Sequence, residues 1–359
     1  MLEIKKYKFY FCPCTQDLYG DECLQHVHEH AEEVVNYLNA SKEIPFEVEL
    51  KPNLLTASMI QQVFNEANND PDCAGIITWA HTFSPSKNYI LGLQDLRKPL
   101  CQFAPPYNEE IPYDTIDMDI MNENQAAHGE RELGHIFARM RWNHKVVFGY
   151  WKDPVALTEL GQWQRVAVGV NESRNIRIAR FADTMRNVAV TDGDKIEAQV
   201  KLGWTVDAWP INDLTPYVES VTAAEIKELT DEYYETYGLV LDGRDPEEFR
   251  RHVEVQAAQE IGIERFLVEH NYNAFSDHFG DLGALKQLPS LSIQRLMQKG
   301  FGFGPEGDWK TPGMVRLMKV MTANDPSAKG SALMEDYTYN LVPGKDGILE
   351  SHMSEVDPS

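Results

Sequence analysis

The chain has 359 residues, 56 of them Asp or Glu against 33 Lys or Arg, for a formal net charge of −23. That is more chain than one ordinary domain, its 43% hydrophobic and 25% charged residues fit a globular protein with a sizeable core, and no run approaches the ~18 uninterrupted apolar residues of a bilayer span. The acidic excess argues against nucleic-acid and membrane partners and favours a cation together with a neutral, polar small molecule. The N-terminal stretch M-L-E-I-K-K-Y-K-F-Y-F-C lacks the apolar core and cleavage site of a secretory signal, and the five cysteines have no framework spacing, so a reducing, cytoplasmic setting is expected.

Lys6 to Cys12 reads as a short buried strand, and Leu24, Val27, Ala31, Val34, Val35 and Leu38 recur at helical spacing after it. F-E-V-E-L-K is a second strand. Thr56 then stands as an N-cap before a helix whose buried stripe is Met59, Ile60, Val63, Phe64 and Ala67. Cys73 to Trp79 predicts a third strand, Lys87 to Leu96 a helix and P-L-C-Q-F a fourth strand, an alternation that predicts a mostly parallel sheet flanked by helices. In such a sheet the ligand lies beyond the carboxyl ends of the strands, which points to the loops Pro13 to Gly20 and His81 to Lys87 and to the stretch after Phe103. A helical stretch within Asp117 to Arg141 carries Gln125 and His128, V-V-F-G-Y-W predicts another buried strand, and a helix through Trp163 and Val166 closes a first α/β domain, residues 1–174.

N-I-R-I-A-R-F-A-D restarts the pattern near Asn175. The loop A-D-T-M-R, a helix Lys195 to Leu202, the strand T-V-D-A-W-P, a Glu-rich surface helix Ala223 to Tyr237, a helix Pro246 to His270 and the segment S-L-S-I-Q-R-L-M-Q-K-G make a central α/β domain, residues 175–325. Two strand-like pieces, Y-T-Y-N-L and I-L-E-S, joined by the turn residues P-G-K-D-G, open a mostly β third domain over residues 326–359.

The chemistry concentrates between Gly300 and His352. Glu306 follows the run G-F-G-F-G-P, read as a loop whose backbone can approach a ligand, Glu335 precedes the first terminal strand and His352 follows the second. Two carboxylates and an imidazole suit Mn²⁺, Mg²⁺, Co²⁺ or Fe²⁺ better than a thiolate-rich structural zinc site does. Spacing alone leaves each an ordinary reading too: an exposed acidic loop, a strand-flanking Glu, a strand His. Pairing Tyr337 with His352 in a hairpin running to Met353 would put Glu335 and His352 on one face, roughly 7–8 Å apart. His26, His28 and His30 read as one solvent-facing helix on which only His26 and His30 share a side, and Cys12-Pro13-Cys14 as strand and loop packing. G-F-G-F-G lacks the Lys-Ser/Thr ending of a phosphate loop, and Asn171 would be a glycosylation acceptor only in a secreted protein.

Longer words of the sequence resemble bacterial L-arabinose isomerase: T-Q-D-L-Y-G, C-A-G-I-I-T-W-A-H-T-F-S-P-S-K, D-M-D-I-M-N-E-N-Q-A-A-H-G-E-R-E, D-T-M-R-N-V-A-V-T-D-G-D-K, L-K-Q-L-P-S-L, E-G-D-W-K-T, M-E-D-Y-T-Y and S-H-M-S-E-V. The resemblance implies an α/β fold of two Rossmann-like domains and a C-terminal mostly β domain, interconverting L-arabinose and L-ribulose, and D-galactose and D-tagatose, with a divalent cation, usually Mn²⁺. It implies Glu306, Glu335 and His352 as metal ligands, the two glutamates also as the acid/base pair, and Gln16, Leu18, Met185, Phe279 and Lys310 as sugar contacts. Gln125 and His128 match positions contributed by a neighbouring subunit, implying a homo-oligomer (trimer, tetramer or hexamer) with active sites between chains. The family's fourth ligand is a histidine further on, and no histidine follows His352 here, so three protein ligands completed by water are expected. The alternative expectation is a shortened relative that binds sugar and assembles without turnover.

Overall fold

Short apolar runs separated by amphipathic helices fold into parallel β/α sheets because each strand needs both faces covered. The computed structural model describes residues 2, 5–328, 330, 331, 333–352 and 357. They form two compact units, one of Lys5–Asn171 with Ala323–Asp325, the other of Met1–Ile4, Glu172–Thr322 and Pro326–Ser359.

The first unit contains β1 (Lys8–Cys14), α1 (Gly20–Ala40), β2 (Glu47–Leu50), α2 (Ala57–Asn69), β3 (Cys73–Ala80), α3 (Tyr89–Asp95), β4 (Leu100–Phe103), α4 (Met118–Glu123), α5 (Ala126–Met140), β5 (Lys145–Val147) and most of α6 (Pro154–Ser173). Its strands are all parallel in the order β2-β1-β3-β4-β5. Successive β1 residues point to opposite faces: Phe9 and Phe11 pack with Trp163, Trp79 and Phe103, whereas Tyr10, Cys12 and Cys14 enter the core under α2, α3 and α5. Cys12 and Cys14 are thus packing residues, and burial pushes the Cys14 thiol up to about 12. Pro13 is tolerated in a central strand because β2 has already ended at Leu50, opposite Phe11; the Pro13 carbonyl accepts from Leu54 instead. Thr56 caps α2 as expected, accepting from the Met59 amide at 3.3 Å.

Two expectations fail here. V-V-F-G-Y-W is not a buried strand: β5 is a three-residue edge strand, with Val146 45% and Phe148 76% exposed, because no further strand covers it. The helical stretch before Arg141 is two helices, broken at Asn124, with Asp117 capping the first through the Ile120 amide.

Glu130, on α5, lies at the carboxyl ends of β3 and β4, accepting from the Ala80 amide (2.8 Å) and from Gln102 Nε2 (2.6 Å). Burial pushes its carboxyl up to about 7 against the lowering pull of those bonds. The folded chain therefore keeps a proton that the unfolded chain releases, so this group's contribution to stability is complete at acid pH and falls as pH rises from about 4.5 through 7. Glu130→Gln is expected to remove up to about 3 kcal/mol of that pH dependence, read as a flatter urea midpoint between pH 5 and 8.

The second unit contains β6 (Arg177–Phe181), α7 (Lys195–Leu202), β7 (Thr205–Trp209), α8 (Thr215–Glu219), α9 (Ala223–Thr236), α10 (Pro246–Glu269), β8 (Ala274–Ser276), α11 (Ser290–Gln298), β9 (Gly302–Gly304), α12 (Lys310–Met321) and an antiparallel hairpin, β10 (Glu335–Asn340) with β11 (Gly347–Ser351). Its main sheet is parallel, in the order β7-β6-β8-β9. Ala179, Phe181, Phe275 and Phe303 meet α10 and α11 on one face; Ile178 and Ala274 meet Ala198, Trp204, Trp309 and Leu317 on the other.

The helix α12, which no sequence expectation covered, explains the glycines before Glu306. A Cβ on Gly302 would lie 2.0 Å from the Pro312 carbonyl oxygen, and one on Gly304 would lie 2.4 Å from Pro312 Cδ. The G-F-G segment is therefore an edge strand on which a helix rests directly, not a ligand-approaching loop; the loop begins after it.

Candidate metal centre

Three loops leave the carboxyl ends of β6, β8 and β9 and are tied together by backbone hydrogen bonds around Glu306. The Met185 amide donates to the Glu306 carbonyl at 2.9 Å, and the Gly307 amide donates to the Asp277 carbonyl at 2.7 Å. Glu306 itself has φ +64°, a left-handed conformation costly for a non-glycine residue and common where a site fixes a side chain's direction. Beyond it Asp308 anchors the first turn of α12: its carboxylate accepts from the Lys310 amide and from Thr311 Oγ1, both at 2.9 Å, and pairs with Lys310 Nζ at 2.7 Å. Lys310 Nζ also donates to the Asp192 carbonyl at 2.7 Å, binding the β6 loop to this turn.

The hairpin supplies the other two donors. Glu335 opens β10 with its side chain half exposed, and His352 follows the last residue of β11 with its side chain 7% exposed. One donor atom from each of Glu306, Glu335 and His352 lies within 4.8 Å of the other two, and His352 Nε2 is 3.6 Å from Glu335 Oε2. The expected register is wrong, however. Glu335 pairs with Ser351 and Asp336 with Glu350, and a bulge at Tyr337 shifts the ladder so that Thr338 faces Leu349. His352 lies past the end of the ladder, so strict face alternation does not bind it and its ring turns toward Glu335. Met353, the expected end of that strand, lies outside the described residues.

Of the expected sugar contacts, Met185 and Lys310 are joined directly to the Glu306 turn by the bonds above, and Phe279, 45% exposed, follows Asp277 by two residues on the β8 loop. Gln16, Leu18, Gln125 and His128 belong to the first unit. Gln16 precedes a short 3₁₀ turn that holds Leu18, 79% exposed; Gln125 stands at the N-cap position of α5 without a side-chain cap hydrogen bond, and His128 lies on its exposed side with its ring 4.7 Å from that of Phe83. Thr15 and Thr82 share a hydrogen bond of 2.6 Å, which draws the β1 and β3 loops together at that end of the sheet.

Asp277 joins these residues without any expectation from the sequence. Its carboxyl is buried, its Oδ2 has no hydrogen-bond partner among the described residues, and burial pushes it up to about 7. Its place just after a parallel strand was the available signal. His30 departs from the solvent-facing helix expected of it, its Nδ1 lying 2.6 Å from His81 Nε2; only His28 and His26 keep that setting, beside Glu32 and Glu123.

The sequence matches the L-arabinose isomerase N-terminal domain over residues 3–175, the central domain over residues 177–324 and the C-terminal domain over residues 330–359. The chain belongs to the L-arabinose isomerase family. Among relatives named L-arabinose isomerase, that of Geobacillus stearothermophilus is 49% identical over all 359 residues, which cover 72% of its own length. Those of Leuconostoc mesenteroides and Oceanobacillus iheyensis are 48% and 49% identical, again over the whole chain, which covers 75% of each. Two helix-flanked parallel sheets followed by an antiparallel hairpin agree with the mixed α/β fold expected for L-arabinose isomerases. No helix among the described residues is long and apolar enough to cross a membrane.

Proposed function

We propose that this chain is a divalent-metal-dependent aldose–ketose isomerase that interconverts L-arabinose and L-ribulose, with D-galactose and D-tagatose as a second pair. The observation that carries this reading is the convergence of Glu306, Glu335 and His352, brought from one loop and a hairpin to within 4.8 Å. Two carboxylates and one imidazole with open positions fit Mn²⁺, and also Mg²⁺ or Co²⁺, and Glu306, Glu335 and His352 would hold the ion. When bound, the cation polarises the sugar's carbonyl and offsets charge growing on its oxygens.

The rest falls to the chain's own groups. Isomerisation takes a proton from the carbon beside the carbonyl and returns one to its neighbour through a cis-enediol, so it needs a base and an acid close to both carbons. Glu306 and Glu335 supply that pair, one accepting as the other donates. The left-handed backbone at Glu306, its tie to Met185 and the adjoining tie of Gly307 to Asp277 hold one carboxylate in place; Glu335 hangs from the hairpin and admits substrate from solvent. Met185, Phe279 and Lys310 line the sugar's approach, Gln16 and Leu18 are further sugar contacts, and in a homo-oligomer Gln125 and His128 of a neighbouring subunit complete the set. The acidic composition suits a cytoplasmic enzyme taking a neutral sugar and a cation.

Dialysis against a chelator is expected to lower ketose formation from L-arabinose by more than about 100-fold, and Mn²⁺ to restore it. Metal retained at Glu306, Glu335 and His352 without ketose would overturn the enzymatic reading and leave a sugar-binding relative.

A further inference from the structure

A second trio of metal-capable side chains comes together in the first unit: His30 on α1, His81 directly after β3 and Glu123 at the end of α4, with one donor atom from each within 4.8 Å of the others. We propose that these three residues form a second cation site, for a divalent transition metal of the zinc class, with His30 Nδ1, His81 Nε2 and a Glu123 carboxylate oxygen as its protein ligands.

The geometry sets the donors face to face. His30 Nδ1 lies 2.6 Å from His81 Nε2 and 3.8 Å from Glu123 Oε1. Two nitrogens on one tetrahedral zinc stand roughly 3.3 Å apart, given Zn–N bonds of about 2.05 Å, so the rings need part by less than about 1 Å to admit the ion. Without it, two imidazole nitrogens facing at this distance must share one proton. Binding then requires only that this proton move to the far nitrogen of its own ring, so no net charge is lost from the pair.

The surroundings favour a cation. His81 Nδ1 is buried without a hydrogen-bond partner among the described residues, so the facing ring is what its tautomer answers to. The Tyr107 ring stacks on His30 at 3.7 Å and fixes its plane, and the Tyr107 hydroxyl is held by Glu33 at 2.6 Å. The ionisable groups that face His30 are Glu29, Glu33, Glu123 and His26, and the nearby Lys152 is already paired with Glu33. His30 is partly exposed, which leaves an entry path and room for water as a fourth ligand. Imidazole-rich donors select zinc, cobalt or nickel, whereas the carboxylate-rich Glu306, Glu335 and His352 set suits harder ions, so the two sites differ in preference.

The test uses the full, untagged chain carrying Glu306→Gln and Glu335→Gln, stripped of metal and dialysed against Zn²⁺ alone. One equivalent is expected to bind, and adding His30→Gln with Glu123→Gln is expected to weaken it by more than about tenfold. Circular dichroism checks that these partly exposed substitutions leave the fold intact. As a second readout, Co²⁺ added to the chain carrying Glu306→Gln and Glu335→Gln gives a visible absorption band that adding His30→Gln removes. Absence of the Zn²⁺ equivalent, or an affinity unmoved by the two added substitutions, overturns the proposal.

Discussion

Glu306→Gln is expected to lower kcat for ketose formation by about 10²–10⁴-fold at saturating Mn²⁺. The substitution keeps the side chain's length and one of its oxygens but removes the charge and the basicity, so little but the chemistry changes. Glu306 is also the only one of the three converging donors fixed by a left-handed backbone and two inter-loop hydrogen bonds, which makes it the donor least able to be replaced by a shifted neighbour. A loss in metal affinity accompanies the change and is separated from it by titrating Mn²⁺ to saturation before measuring kcat. Turnover within a few-fold of the parent under those conditions would remove Glu306 from the acid/base pair.

The fold was legible where burial enforces a period. In β1 the residues Phe9 to Cys12 are continuous in apolarity because both faces are covered, and the helical stripe from Val27 to Leu38 repeats because one face of α1 is. Legibility failed where burial imposes no pattern. The hairpin is exposed on both faces, with Tyr337, Tyr339, Ile348 and Leu349 each more than half exposed, so nothing in the alternation specified its register and the bulge at Tyr337 went unseen. The G-F-G strand was invisible for a different reason: its glycines answer to α12 lying against it, a tertiary contact that no local propensity encodes.

The site residues divide the same way. Glu306, Glu335 and His352 stood out through the types of their donors and the turn chemistry around them, and the family's words sharpened that reading. The His30–His81 contact joins residues 51 apart, on a helix and on a loop, and each has an ordinary local explanation. Only the packing of α1 over the end of β3 brings the two rings together. Asp277 escaped for the same reason, since a buried carboxyl whose Oδ2 finds no partner among the described residues is a property of its surroundings and not of its neighbours in sequence.

Gly307→Ala is expected to destabilise the chain by about 2–4 kcal/mol and to lower kcat by roughly 10²-fold. Gly307 has φ +74°, where an L side chain is strained, and a Cβ there would lie 2.2 Å from the Asp183 carbonyl oxygen and 2.8 Å from Thr184 Cα. Those atoms are backbone, so no side chain can swing aside; the β6 loop and the Glu306 turn must move apart. That movement pulls on the Met185 to Glu306 and Gly307 to Asp277 hydrogen bonds, which set where the Glu306 carboxylate stands relative to Glu335 and His352. A displacement on the order of 1 Å at an acid/base group is enough for the kinetic loss. Gly238→Ala is the matched control: among the described residues beyond its chain neighbours nothing lies within 4 Å of a Cβ at that position and its φ is not left-handed, so stability should change by less than about 0.5 kcal/mol. Thermal melts and kcat at saturating Mn²⁺ for the two variants check both halves of the argument, and a Gly307→Ala chain matching the Gly238→Ala control in both would mean that the loops do not hold Glu306 in place.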